Sequence, residues 1–376
     1  MIPVFQPYLG EPEKAAAAAA LDLGWLGMGS YVAEFEQRLG ELLELDESRQ
    51  VVAVSTGHAA LHLSLMVAGV GPGDEVITPA FNNVSDFQAI LACGAEPVFC
   101  DIDDTTLCID LDAAEELVGP RVKAIIVMDY DCLLCDHDRV ADFAAKHGIR
   151  VVHDAAHSLG SRHRTRMVGS FSDIAMFSFD AVKTITTIDG GALVLRDEDE
   201  VRRAQEMRLV GMTQPSSTLY GNERAWTYDV TRLGFRYHLS NPHAAIGLAQ
   251  LDQFSDIART RLEACRRYSA RLADVPGVRT PQTDFTDIVP FLYYIRVPAE
   301  LRDELRTHLR EAGVDTGIHW QPGHWYSLLR NCRRGDLRVT DTVGNEVLSL
   351  PLHSGMPAET IDVVCDSITE LFHERA

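Results

Sequence analysis

From residue 50 onward, short apolar runs alternate with stretches of helical spacing, and this alternation restricts the fold more than any other feature of the chain. The runs fall at 51–55, 75–79, 97–102, 124–130, 149–155, 174–179 and 190–195, with helical patterns at 58–68, 84–92, 111–117 and 137–147 between several of them. Strands that are apolar on both faces and separated by helices must be buried from both sides, which only a mainly parallel sheet with helices on each face achieves. The pattern predicts an α/β fold with a seven-stranded sheet.

Before this region, the alanine run 15–20 predicts one helix, and Ser30 is expected to cap a second, in which Val32, Phe35, Leu39, Leu42 and Leu43 recur at helical spacing. After it, 197–250 reads as helices and a polar loop at 213–224. A long helix is then expected over 251–272, strands at 291–297 and 316–320, and helices at 300–311 and 358–372. We therefore expect a large domain over 1–250, including the N-terminal helices, and a smaller α+β domain over 251–376.

The net charge of −21 argues against a nucleic-acid backbone as partner. No apolar run approaches the roughly 18 residues of a membrane span, and residues 1–10 lack the basic start and apolar core of a signal peptide. Eight scattered cysteines read as free thiols of a reducing cytoplasm. Cys132 and Cys135 alone are spaced like metal or redox ligands, and no second pair completes a site, so no metal is expected.

In an open α/β sheet, ligands bind beyond the carboxyl ends of the strands. Three features stand there. Thr56-Gly57-His58 opens a helix after the first run, where glycine allows close approach and free N–H groups can hold an anion. Asp154 ends a buried strand, where a carboxylate needs a cationic partner or a turn to cap. Lys183 follows the 174–179 run. The chain has only four lysines, and Lys14, Lys123 and Lys146 lie away from this edge. A desolvated lysine has a lowered pKa and becomes a nucleophile toward carbonyls. An anion site, a carboxylate and an amine are together what pyridoxal 5'-phosphate requires.

At these residues the sequence resembles the fold-type I pyridoxal phosphate enzymes, and within them the DegT/StrS family of nucleotide-sugar aminotransferases. The resemblance runs over nearly the whole chain. It includes Gly73-Asp74-Glu75-Val76-Ile77-Thr78-Pro79, Asp154-Ala155-Ala156-His157, Phe177-Ser178-Phe179 with Lys183, Gly190-Gly191, Ser240-Asn241 and His319-Trp320-Gln321-Pro322-Gly323-His324. It implies that Lys183 holds the cofactor and moves the substrate proton, and that Asp154 pairs with the pyridine nitrogen. His157 would stand near the phenolic oxygen, and Ser178 with the amides of Gly57 and His58 would take the phosphate. Asn83 occupies the place of a ring that stacks on the cofactor, with Phe81 nearby. Arg236 to Asn241 would reach the phosphate of a neighbouring subunit, which implies a homodimer with shared sites.

The activity implied is transfer of an amino group from an amino acid, glutamate by analogy, to a keto sugar, nucleotide-linked in the family. A cyclitol or non-nucleotide sugar is the alternative acceptor, and a non-catalytic binding protein the alternative class. His319, Trp320 and His324 are expected to hold the acceptor, although Trp320 and Trp325 could equally fill a domain interface. Departures from the family pattern are His58, Asn83, Asp129-Tyr130-Asp131, Ile188-Asp189 and Arg236.

Overall fold

The computed structural model describes residues 1–373. Helices α1 (Glu11–Asp22) and α2 (Ser30–Leu42) precede strand β1 (Gln50–Val54). The alternating region then runs α3 (Gly57–Val67), β2 (Glu75–Pro79), α4 (Val84–Ala92), β3 (Glu96–Cys100), α5 (Leu111–Glu115), β4 (Val122–Met128), α6 (His137–His147) and β5 (Arg150–Asp154). A small hairpin, β6 (Arg162–His163) and β7 (Arg166–Met167), leads to β8 (Ile174–Ser178) and β9 (Gly191–Leu195). Helices α7 (Glu198–Met207), α8 (Ser216–Tyr220), α9 (Asn241–Asp252) and α10 (Phe254–Leu272) follow. The chain ends with β10 (Tyr293–Arg296), α11 (Ala299–Glu311), α12 (Arg338–Glu346), β11 (Val347–Leu350) and α13 (Ala358–His373).

The seven strands read from the sequence form one sheet in the order β1-β9-β8-β5-β4-β2-β3. Neighbours are parallel except at β9, which runs against both β8 and β1. Alternation along each strand divides the side chains between two layers. In β1, Val51 and Ala53 join the apolar cluster under α2 and α9, while Val52 and Val54 join that under α3 and α7. A third cluster carries Ile77, Val98, Ile125 and Val127 of the sheet into contact with Tyr268, Leu348, Val364 and Ile368 of the C-terminal region. No helix among the described residues is long and apolar enough to cross a membrane, and all eight cysteines are free.

Several boundaries differ from expectation, each because of a distant contact. Ser30 is the first residue of α2, not its cap; its N–H donates to Asn222 Oδ1 at 3.0 Å. The expected helix over 251–272 breaks at Gln253, and its N-terminal portion belongs to α9. There Glu13 of α1 accepts from Gln250 Nε2 at 2.7 Å and Gln253 Nε2 at 2.5 Å, docking α1 across the break. Residues 316–320 make one bridge, Gly317 to Ser349, instead of a strand. The unforeseen α12 contains Val, Thr and Gly at several positions, all poor helix formers. Its first turn is held by Asp101, which accepts from the N–H groups of Val339 and Thr340 and from the Thr340 hydroxyl.

Arg208 is fully buried at the end of α7 and ties three other elements together. It donates to Glu36 Oε1 of α2 at 2.5 Å, to the Ala53 carbonyl of β1 at 2.7 Å and to the Tyr220 hydroxyl of α8 at 2.8 Å. Removing one partner of a buried pair leaves an uncompensated charge, so Arg208→Met is expected to cost about 3–5 kcal/mol in urea unfolding. A loss below about 1 kcal/mol would show that Glu36 and Ala53 find other partners.

Candidate functional site

The antiparallel return of β9 determines where the amine lies. Because β8 and β9 are adjacent and opposed, the connection over 179–190 leaves and re-enters the sheet at its carboxyl edge. It is closed by bonds from Phe179 N to Gly190 O and from Thr187 N to Phe179 O, and Lys183 sits at its centre. The side chain is half-buried, its Nζ 4.2 Å from the centre of the Phe291 ring. Burial pulls its pKa below the ordinary lysine value, against the opposing charges of Asp154 and Asp180.

Lys183 faces a cavity of about 540 Å³ whose walls also include Thr56, Gly57, His58, Asn83, Asp154, His157 and Ser178. Thr56 caps α3, its hydroxyl accepting from Ala59 N at 2.8 Å, so the next amides start the helix without helical partners. Two glycines make the approach possible. A Cβ on Gly57 would lie 2.6 Å from Ser178 Oγ, and one on Gly191 2.4 Å from the Thr56 carbonyl. A side chain at either position would push the helix N-terminus away from Ser178. The result is a cradle of backbone N–H groups and a hydroxyl, suited to a phosphate dianion.

Asp154 ends β5 and is almost wholly buried, its Oδ1 accepting from Ala156 N at 2.9 Å. It therefore does cap the following turn, and it also faces the cavity. Burial raises its pKa, opposed by that N–H and by Lys183. A cation placed against it would favour the charged form. His157 is buried with Nδ1 3.1 Å from Asp131 Oδ1, and its ring lies 4.4 Å from that of Phe291 and 6.0 Å from that of Trp320. Burial pushes Asp131 up and His157 down, so this contact joins two neutral groups and not an ion pair.

The remaining expected residues divide. Asn83 lines the cavity, but its Oδ1 is occupied in capping α4 through Ser85 N at 2.8 Å. Phe81 does not replace a stacking ring there; it packs against Tyr130 in the core, 5.3 Å between centres. Rings in the wall come instead from Phe5, Phe291 and Trp320. His319 and Trp320 line the cavity. His319 Nδ1 lies 2.9 Å from Ser349 Oγ, and burial with the nearby Lys183 charge pushes its pKa down to about 4. His324 does not reach the cavity: it and Trp325 both bond Asp341 Oδ1 of α12, at 2.9 and 2.8 Å, because the Pro322–Gly323 turn directs them away.

Arg236 and Asn241 also lie outside this cavity. Asn241 is fully buried, its amide bonded to the Trp25 carbonyl at 2.9 Å. Arg236 lines a second cavity with Trp25, Arg224, Tyr228 and His238. Asp131 stood out only as a departure from the family pattern, and Asp86 was not singled out by the sequence. Asp86 was detectable in principle, since it shares the helical face of Ala89 and Ile90 and so is an acid on an apolar surface.

A model of the DegT/DnrJ/EryC1/StrS aminotransferase family matches residues 7–369. The chain belongs to this family. It is an aminotransferase, and its fold is that of the pyridoxal phosphate aminotransferases. It is similar to the dTDP-4-dehydro-2,3,6-trideoxy-D-glucose 4-aminotransferase of Saccharopolyspora spinosa, 32% identical over 97% of this chain and 95% of that one. Among solved structures it resembles the aminotransferase TlmJ of Streptoalloteichus hindustanus, at TM-score 0.92 and 34% identity over the whole of both chains. It also resembles the pyridoxal phosphate form of a putative sugar aminotransferase, Spr1654 of Streptococcus pneumoniae, at TM-score 0.89 and 27% identity over 100% and 99% of the two chains.

Behind the cavity wall, Asp129 holds the end of β4 to β5. It accepts from His137 Nε2 and Cys135 N, both at 2.9 Å, and from His153 Nε2 and Ser158 Oγ, both at 2.7 Å. Burial raises its pKa, but the two histidines outweigh that and hold the carboxyl well below the usual range. A carboxyl with a depressed folded pKa stabilises the fold above its unfolded pKa, about 3.9, and loses that contribution as pH falls through the folded value. Asp129→Asn is expected to cost about 2–4 kcal/mol in urea unfolding at pH 7. The gap between variant and parent should narrow below about pH 4. A gap independent of pH would mean the carboxylate charge is not what stabilises.

Proposed function

We propose that the chain moves an amino group from an amino acid, glutamate by analogy, to a keto sugar carried on a nucleoside diphosphate, using pyridoxal phosphate in the Lys183 cavity. The observation that carries this reading is a half-buried amine of lowered pKa beside a helix-start cradle and a carboxylate, in a member of a sugar aminotransferase family. When bound, the cofactor supplies an electron sink that acidifies the carbon bearing the transferred nitrogen.

The chain's own groups do the rest. The amides of Gly57 and His58 and the Ser178 hydroxyl take the phosphate. Asp154 holds the proton on the ring nitrogen. Lys183 would hold the cofactor through its aldehyde, and its amine, when free, would take up and return the substrate proton. His157 would stand beside the ring, held by its contact with Asp131. Phe5, Phe291 and Trp320 exclude water. Trp320 Nε1 is buried without a partner, a donor free for the acceptor sugar.

A homodimer completes the site in this reading. Trp226 is 88% and Leu233 72% exposed, beside the cavity of Arg224 and Arg236. Such a patch suits a second copy, whose phosphate Arg236 would reach. Asn241, being buried within its own chain, would act by holding that segment in place.

Borohydride reduction of the holoenzyme followed by peptide mapping is expected to place the cofactor on Lys183, and Lys183→Ala to fold without turnover. Label on Lys123 or Lys146 would refute the assignment.

The half-reactions separate the two sides of the site. Trp320→Phe should leave pyridoxamine formation from glutamate intact and slow transfer to a nucleotide keto sugar about tenfold, the worth of one hydrogen bond. His324→Ala should change neither rate and lower the melting temperature through loss of the Asp341 contact. Equal losses in both half-reactions for Trp320→Phe would make the ring a packing element.

A further inference from the structure

Asp86 is wholly buried in the first turn of α4, in the wall of the cavity and in contact with Asp154. Its Oδ2 accepts from Asn82 Nδ2. The orientation of that amide is fixed, since Asn82 Oδ1 accepts from Asn83 N at 2.6 Å. Asp86 Oδ1 has no hydrogen-bond partner outside this carboxyl contact. No assigned role in the reaction uses the residue.

Two carboxyls in contact within a buried site cannot both ionise; they share one proton. Which of them keeps it follows from their surroundings. Asp154 accepts a backbone N–H from Ala156 and faces the Lys183 ammonium, both of which favour its anion. Asp86 receives one neutral amide, from Asn82, and its other oxygen has no donor. Burial, then the charge of Asp154, push its pKa well above the usual carboxylate range.

We propose that Asp86 is a positioning residue that acts as a neutral acid, donating its proton to Asp154 and leaving Asp154 the single anion presented to the cofactor's ring nitrogen. The relay runs from Asn83 N through Asn82 and Asp86 to Asp154. A donated hydrogen bond makes Asp154 a weaker base, so the shared proton of the ion pair stays on the ring. Without it, Asp154 would keep only the Ala156 N–H and would draw the proton more strongly off the ring. This inference rests on Asp154 being the partner of the ring nitrogen.

The test uses holoenzyme reconstituted with pyridoxal phosphate carrying nitrogen-15 in the ring. Asp86→Asn keeps a neutral donor of the same shape but can never carry charge. Asp86→Ala and Asp86→Val remove the donor with two different volumes, so that one can fold where the other does not, with folding checked by melting of the apoprotein. The parent and Asp86→Asn should both show the signal of a protonated ring nitrogen. The apolar variants should shift toward neutral pyridine and release the cofactor about tenfold faster on dialysis, the scale of a hydrogen bond to a charged group.

A signal unchanged in every variant at 86 would overturn the proposal. So would Asp86→Asn behaving like Asp86→Ala, which would show that a negative charge at 86 is needed. Asp154→Asn is the control that separates the two levels. If it shifts the signal while no change at 86 does, only the role of Asp86 fails. If it leaves the signal unchanged, Asp154 is not the partner and the role of Asp86 falls with it.

Discussion

The cost of burying charge governs this molecule more than any other constraint. A parallel sheet covered on both faces places its carboxyl-edge loops in a low-dielectric interior, so each ionisable group there must find a partner or give up its charge. Lys183, Asp86, Asp131, Asp154 and His157 all stand in that interior within one cavity and its wall. Within the protein their charges are only partly matched. The unmatched remainder is what a cofactor with an anionic phosphate, a basic ring nitrogen and an aldehyde complements.

Three aspartates near β4 and β5 show how the same side chain serves opposite ends. Asp129 has both oxygens satisfied by four donors and is part of the frame. Asp154, one residue beyond His153 and so on the other side of the strand, has one backbone donor and an open face toward the cavity. Asp131 lies past the end of β4 with its backbone at positive φ and meets His157 as one neutral group meets another. The difference lies in the count of donors and not in burial, which is nearly complete for all three. Rigidity behind the wall and incomplete satisfaction in front of it together make a preorganised site.

The C-terminal region closes the cavity through a few long-range contacts. His319 and Trp320 reach the site because Gly317 pairs with Ser349 beside β11 and the Tyr130 hydroxyl donates to the His319 carbonyl. Three residues later the Pro322 turn sends His324 and Trp325 to Asp341 on α12. One short segment thus divides between lining the site and anchoring a helix, and the helix is itself held by Asp101 beyond the end of β3.

The sequence by itself determined the sheet and the chemistry of its edge. All seven strands were legible because runs apolar on both faces report burial directly, a property of local composition. Lys183, Asp154 and Gly57 were legible as residues of the cavity wall because loops at the carboxyl edge follow from strand direction, whereas Ser178 was read from the family resemblance. Tertiary structure alone decided the rest. The break at Gln253, the helix over Arg338–Glu346, the diversion of His324 and the meeting of Asp86 and Asp154 in one cavity wall each depend on a partner tens to hundreds of residues away. A local pattern encodes what a residue can do, but which buried polar group meets which is settled only when the layers close, because a hydrogen bond is made at about 3 Å and sequence periodicity has no such resolution.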